Sequence, residues 1–167
     1  MIKNIIWTVI FGLVAAVLQS TLLSRLAFYR AVPDLALGII VYSAYVNGVM
    51  TGQLSGFCYG IAFDFMSAAP FGLNALVRTI IGALVGLMKG TFFLDILFIP
   101  MLLCASATLL KAMILFLLSL LLSGSVQPYP LAAPLLWAEI ALNTVTAPFL
   151  FAFLKQFSSL LVGRRVL

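Results

Sequence analysis

Two stretches of this chain carry no charged residue over lengths that soluble proteins seldom reach. Residues 35–63 are free of charge for 29 positions, and residues 112–138 for 27. A helix needs about 20 apolar residues to cross the hydrocarbon core of a bilayer. Charged residues make up only 8% of the chain, against about 25% in soluble domains. The pattern therefore predicts an integral membrane protein that lies in lipid over most of its length.

The composition excludes several kinds of chemistry. The chain has no histidine, which removes imidazole bases and histidine metal ligands. Cys58 and Cys104 lie far apart in apolar sequence, so we expect reduced core cysteines and not a metal site. The lysines and arginines are scattered, whereas a nucleic-acid surface needs them clustered. We therefore expect no cofactor, no metal and no nucleic acid.

Breaks in the apolar sequence divide the chain into six predicted helices. Residues 33–70 would reach about 55 Å as one helix, too long for a core of about 30 Å. Asn47-Gly48 is the strongest turn signal within this region. The predicted fold is all-α, a single transmembrane domain over residues 1–167 that forms a compact bundle of six transmembrane helices at 4–26, 33–46, 51–67, 73–89, 100–122 and 135–157.

The basic residues predict how this bundle is oriented. The first helix is expected to be a permanent span and not a signal peptide, because its apolar run is longer than a signal core. Six spans would place both termini on one side, and the more basic side is cytoplasmic. That side would carry Lys3, Lys89, Lys155, Arg164 and Arg165, and the other Arg25, Arg30 and Arg78.

Small residues recur every four positions on three predicted helices. Glycines at this spacing remove side chains from one face, so that two backbones can approach closely in lipid. We therefore predict that the third and fourth helices form a tight antiparallel pair. The stripe on the first helix could pack inside the bundle or receive a helix from another protein. The residues are Gly52, Gly56 and Gly60, then Gly82 and Gly86, and on the first helix Gly12, Ala16 and Ser20.

Charged residues inside these helices need partners, because an unpaired charge at the bilayer centre costs at least about 2.5 kcal/mol. Asp64 ends the third helix and Arg78 begins the fourth, so we predict a contact between them, direct or through water, as a structural clamp or as a proton or ion relay. Lys111 lies near the middle of the fifth helix, where Glu139 and Asn143 are its predicted partners. An ion pair, a ligand or ion site, and simple snorkelling of Lys111 to the membrane surface remain open.

The second helix has a clear start signal. Pro33-Asp34 places a carboxylate in the first turn, where it complements the helix dipole. Asp34 and Asp95 are both expected to lie outside the core. An intramembrane enzyme would need a serine with a lysine, or a pair of aspartates, at one site. No such pair is expected to meet here.

The spacing of these residues resembles the MreD family of bacterial rod-shape-determining membrane proteins. The length of the chain and its predicted number of spans agree with those of the family, so the resemblance covers nearly the whole chain. It rests on Gly56, Gly60, Asp64, Phe71-Gly72 and Ala75-Leu76, on Pro33-Asp34, and on residues 143–149 with Pro148.

The resemblance implies a non-enzymatic scaffold in the bacterial inner membrane. Its partner would be a single-span protein like MreC, with MreB, a glycosyltransferase and a penicillin-binding transpeptidase contacted indirectly in the complex that builds lateral peptidoglycan. The fold would be similar to that of the substrate-binding subunits of energy-coupling-factor transporters. A substrate-binding subunit of a vitamin or small-molecule transporter is therefore the alternative function.

Overall fold

Apolar sequence forms seven helices in the computed structural model, which describes residues 1–21, 31–90, 97–122 and 134–163. The first helix is predicted to end at residue 26, which lies outside the described residues; every other predicted helix end differs from the observed end by no more than two residues. The short last helix was not predicted. The helices are α1 (Ile2–Thr21), α2 (Leu35–Asn47), α3 (Val49–Met66), α4 (Leu73–Leu87), α5 (Phe98–Leu121), α6 (Pro134–Gln156) and α7 (Ser158–Leu161).

The helices differ in their ability to cross a membrane. Among the described residues, α1, α5 and α6 are long and apolar enough to span one by themselves. The apolar helices α2 and α4 have 13 and 15 residues, which corresponds to about 20 and 22 Å. The protein is thus an all-helical membrane protein, while the count of six spans is not confirmed.

The short helix α2 lies at the centre of the fold. Ten consecutive residues, from Ala36 to Tyr45, are buried, and α2 contacts α1, α3, α4, α5 and α6. A helix that is apolar on all sides is stable only when it is surrounded. Because other helices cover it, α2 does not have to match the thickness of the lipid core.

Helices α3 and α4 pack backbone against backbone. A side chain at Gly52 would collide with the carbonyl of Gly82, and one at Gly56 with the carbonyl of Arg78. At Gly60 the obstacle is the backbone of Ala75. Sequence numbers rise on α3 as they fall on α4, so the pair is antiparallel, as predicted. We call Gly52, Gly56, Gly60, Gly82 and Gly86 the glycine interface.

The small residues of α1 lie mainly inside the fold. Gly12 faces the ring of Tyr59 on α3, and Ala16 packs in the same cluster with Ala36 and Ile40 of α2. Ser20, the third member of the predicted stripe, is exposed. Of the two alternatives for this stripe, the structure shows internal packing at Gly12 and Ala16.

One end of the bundle gathers the N-terminus, the α2–α3 turn and the region after α6. Asn47 accepts hydrogen bonds from Asn4 at 3.0 Å and from the backbone of Gly163 at 2.8 Å. The ammonium of Lys89 donates to the Asn47 carbonyl at 2.9 Å. Gly48 follows with a φ of 97°, a backbone conformation that favours glycine. The chain therefore reverses direction between α2 and α3 at the predicted turn.

Candidate functional site

The carboxylate of Asp34 is the centre of a buried group of charges. It accepts the backbone N–H of Leu37 at 3.0 Å, and so caps the N-terminus of α2. It also accepts Lys111 at 3.0 Å and Arg78 at 3.3 Å, from α5 and α4. Asp34 is only 7% exposed. The expectation that it lies outside the core is wrong, because it compensates two cations inside the bundle.

Lys111 joins this carboxylate to a second one. Its ammonium lies 2.5 Å from Glu139 on α6, which is the predicted ion pair. Asn143, the other predicted partner, instead accepts the backbone N–H of Asp34 at 2.7 Å and donates to Thr108 at 2.8 Å. Asp34, Arg78, Lys111 and Glu139 therefore form one charge cluster with two positive and two negative groups.

Aromatic rings cover the guanidinium of Arg78. Its central carbon lies 4.8 Å from the ring centroid of Tyr59 and 5.3 Å from that of Phe63. Both rings belong to α3, one turn apart, and they stack on each other. A cation over an aromatic face is stabilised by the ring's electrons. The rings thus attach α3 to the charge cluster without contributing a charge.

Asp64 does not contact Arg78 directly, so the direct form of the predicted contact is wrong. Its carboxylate accepts the backbone N–H groups of Gly72, Asn74 and Ala75 at 2.9, 3.0 and 3.2 Å. The first N–H groups of a helix lack intrahelical partners and carry partial positive charge. Asp64 supplies both the acceptors and the negative charge, and Arg78, one turn further on, pairs with Asp34.

The charge cluster borders a cavity of about 340 Å³. The cavity lies between α1, the residues before α2, and helices α3, α4 and α5. Asp34, Arg78 and Lys111 face it, and Glu139 does not. Its walls are formed by Ala16, Gln19, Ser20, Val32, Asp34, Tyr59, Phe63, Asn74, Arg78 and Lys111.

Sequence reasoning missed the role of Asp34 and the contributions of Tyr59, Phe63 and Thr108. A count of charges could have found Asp34. The chain has four acidic residues, and once Asp64 serves the α4 cap, Arg78 needs another partner. Several residues with predicted positions lie outside the described residues: Arg25, Arg30, Asp95, Arg164 and Arg165.

A comparison with models of protein families matches residues 1–157 to the rod shape-determining protein MreD. The chain belongs to the MreD family. No curated protein and no solved structure matches it. Family membership links the protein to cell shape and the rod complex, and the apolar helices agree with a membrane protein of the bacterial inner membrane.

The residues that carry the MreD resemblance have structural roles here. Gly56 and Gly60 form the close contact with α4. Asp64 caps α4, and Gly72, with a φ of 91°, donates to it from the turn before α4. Asp34 holds the charge cluster. In this member of the MreD family, the motif therefore builds an α3–α4 hairpin and ties it to the other helices.

Proposed function

We propose that the protein is a non-enzymatic membrane scaffold of the rod complex. It binds an MreC-like single-span protein and supports lateral peptidoglycan synthesis and rod shape. MreB, the glycosyltransferase and the penicillin-binding transpeptidase are contacted indirectly. The observation that carries the proposal is the family match over residues 1–157.

The arrangement of the charges supports this proposal. Each ionic group of the charge cluster contacts one of opposite sign, and the contacts join α2, α4, α5 and α6. Such contacts stabilise one packing of the helices. A rigid body of this kind can present fixed outer surfaces to partner helices, as a scaffold must.

We further propose that residues 1–167 form one domain of six crossings with both termini in the cytoplasm. Lys3 bonds to the backbone of Ser159, and Lys89 to that of Asn47, so basic residues gather at one end of the bundle. Arg78 is buried in the charge cluster, so it is not counted among the cations on either membrane surface. The remaining cations favour that end as the cytoplasmic one.

Reporter fusions test this orientation. Alkaline phosphatase fused after Leu167 should be inactive, and green fluorescent protein at the same place should fluoresce. A phosphatase fusion after Phe71, in the turn between α3 and α4, should be active and serves as the control. An active enzyme at the C-terminus would contradict the proposed topology.

Site-specific photocrosslinking tests the scaffold proposal in living cells. A crosslinker at Ile10, Met113 or Phe149 samples exposed faces of α1, α5 and α6. At one of these faces we expect a crosslink to an MreC-like single-span protein. Ala107 is completely buried and is the matched control. Depletion of the protein should turn rods into spheres; rods that keep their shape would contradict the proposal.

The cavity favours one alternative function, a substrate-binding subunit of a transporter. Such a subunit would co-purify with an ATPase-coupled partner, and its loss would stop the uptake of a nutrient. The scaffold would co-purify with the single-span protein. If loss of the protein stops uptake of a nutrient and leaves the cell shape unchanged, the protein is the transporter subunit and not the scaffold.

A further inference from the structure

Among the described residues, the wall of the cavity beside the charge cluster carries two positive groups and one negative group. Two cations, Arg78 and Lys111, face it together with one carboxylate, Asp34. Glu139 contacts Lys111 but is not among the residues that line the cavity. The described residues that line the cavity therefore include one more positive than negative group, although the four charges of the cluster sum to zero.

Two residues of the cavity wall each have a buried polar atom without a hydrogen-bond partner. Among the described residues these are the hydroxyl oxygen of Tyr59 and the Nε atom of Arg78. Tyr59 is 0% exposed and Arg78 is 5% exposed, so bulk water does not serve them. Buried polar groups are nearly always hydrogen-bonded in folded proteins. Both residues belong to the wall of one cavity, and an acceptor bound there would satisfy both atoms.

The contact between Arg78 and Asp34 also leaves room for another acceptor. The three N–O distances are 3.3, 3.5 and 3.5 Å, whereas charge-assisted hydrogen bonds are usually about 2.7–2.9 Å. Lys111 binds the same carboxylate more closely, at 3.0 Å. The guanidinium of Arg78 thus packs against two aromatic rings and lies farther from Asp34 than the ammonium of Lys111 does.

We propose that this cavity binds an oxyanion, a carboxylate or phosphate group, carried by a small molecule or by a lipid headgroup. Its oxygens accept hydrogen bonds from Nε of Arg78 and from the hydroxyl group of Tyr59, and the ammonium of Lys111 contributes positive charge. Ala16, Val32 and the ring of Phe63 provide an apolar wall. An apolar portion of the ligand can rest against that wall.

Thermal unfolding of the purified full chain in a neutral detergent tests the proposal. The probes are inorganic phosphate, acetate and a short-chain phosphatidylglycerol. Sodium chloride at equal ionic strength and a diacylglycerol of the same chain length are the controls. A higher Tm with phosphate or acetate supports a soluble oxyanion. A higher Tm with phosphatidylglycerol alone supports a lipid headgroup, and no shift with any probe overturns the proposal.

Two variants locate the binding within the cavity. Tyr59→Phe removes only the unpaired hydroxyl, so the Tm without ligand should stay equal or rise, while affinity for the effective probe should fall about tenfold or more. Arg78→Lys keeps the charge but removes Nε, and should weaken binding similarly. Tyr42→Phe, at a buried tyrosine outside the cavity wall, is the matched control. Wild-type affinity in Tyr59→Phe would overturn the proposal.

Discussion

The glycine interface and the charge cluster join helices of the same bundle in different ways. In the glycine interface, the atoms that meet are backbone atoms of α3 and α4. In the charge cluster, long side chains from α4, α5 and α6 reach a carboxylate at the start of α2. The first depends on the absence of side chains and the second on their charge.

This difference determines which changes each region can tolerate. A mutation cannot remove a backbone carbonyl. A side chain added in the glycine interface therefore collides with an atom that no second mutation on the other helix can take away. A charge can be removed together with its partner, which leaves the remainder neutral. We therefore expect second-site compensation in the charge cluster and none in the glycine interface.

The largest effect is expected for Asp34→Asn. The amide still caps α2, because asparagine is a good N-cap residue, but Arg78 loses its only negative partner in the charge cluster. Removing one partner of a buried ion pair costs about 3–5 kcal/mol. The free energy of unfolding, measured by titrating detergent micelles with sodium dodecyl sulfate, should fall by that amount.

Combining Asp34→Asn with Arg78→Gln tests whether the loss comes from an unpaired charge. It leaves Lys111 paired with Glu139 and restores neutrality, so it should be more stable than Asp34→Asn alone. The coupling energy of contacting residues is typically about 0.5–3 kcal/mol. A double variant less stable than both single variants would show that charge balance does not hold this region together.

A smaller loss is expected for Asp64→Asn, which makes the same chemical change at the α4 cap. The carboxylate accepts three backbone N–H groups and the amide of Asn74, and hydrogen bonds to a charged group are worth about 1.5–3 kcal/mol. The same titration should show a loss in that range. Hydrogen exchange should increase at the first residues of α4.

A double-mutant cycle between Asp64→Asn and Arg78→Gln separates the cap from the charge cluster. The two side chains have no partner in common, so their effects should add within about 0.5 kcal/mol. A larger coupling would mean that the two residues interact, as the sequence alone had indicated.

Gly56→Ala should cost about 1–3 kcal/mol by overpacking. Its added carbon would collide with the backbone of Arg78, and the two helices would have to move apart. Cys58→Ala, on the exposed side of α3, is the control and should change stability little. Unchanged stability in Gly56→Ala would show that the backbones need not approach this closely.

Local contacts were the part of the fold that sequence could predict. The α3–α4 hairpin joins neighbouring helices, and glycines four apart mark the face on which they meet. The pairing of Lys111 with Glu139 was also within reach, because α5 and α6 are consecutive and each carries a charge in its apolar part. Turn signals at Asn47-Gly48 placed the boundary between α2 and α3.

Contacts between distant parts of the chain could not be predicted in this way. Asp34 lies 44 residues from Arg78 and 77 from Lys111, and periodicity does not show which helices enclose α2. A carboxylate at a helix start has a sufficient local role as a cap, which concealed its role as an ion-pair partner. For Asp64 the reverse holds. The sequence predicts a contact with Arg78, whereas the structure shows a cap of α4.

Gly12→Ala should have the smallest effect and tests why the glycine interface is sensitive. The added carbon would lie 2.7 Å from the ring of Tyr59, a side chain that can shift where a backbone cannot. Alanine also favours a helix over glycine by about 0.8–1.0 kcal/mol, which offsets the displacement of the ring. The free energy of unfolding should therefore change by less than about 1 kcal/mol, measurably less than in Gly56→Ala. Equal losses in the two variants would mean that burial of the glycine, and not the kind of atom it faces, determines the cost.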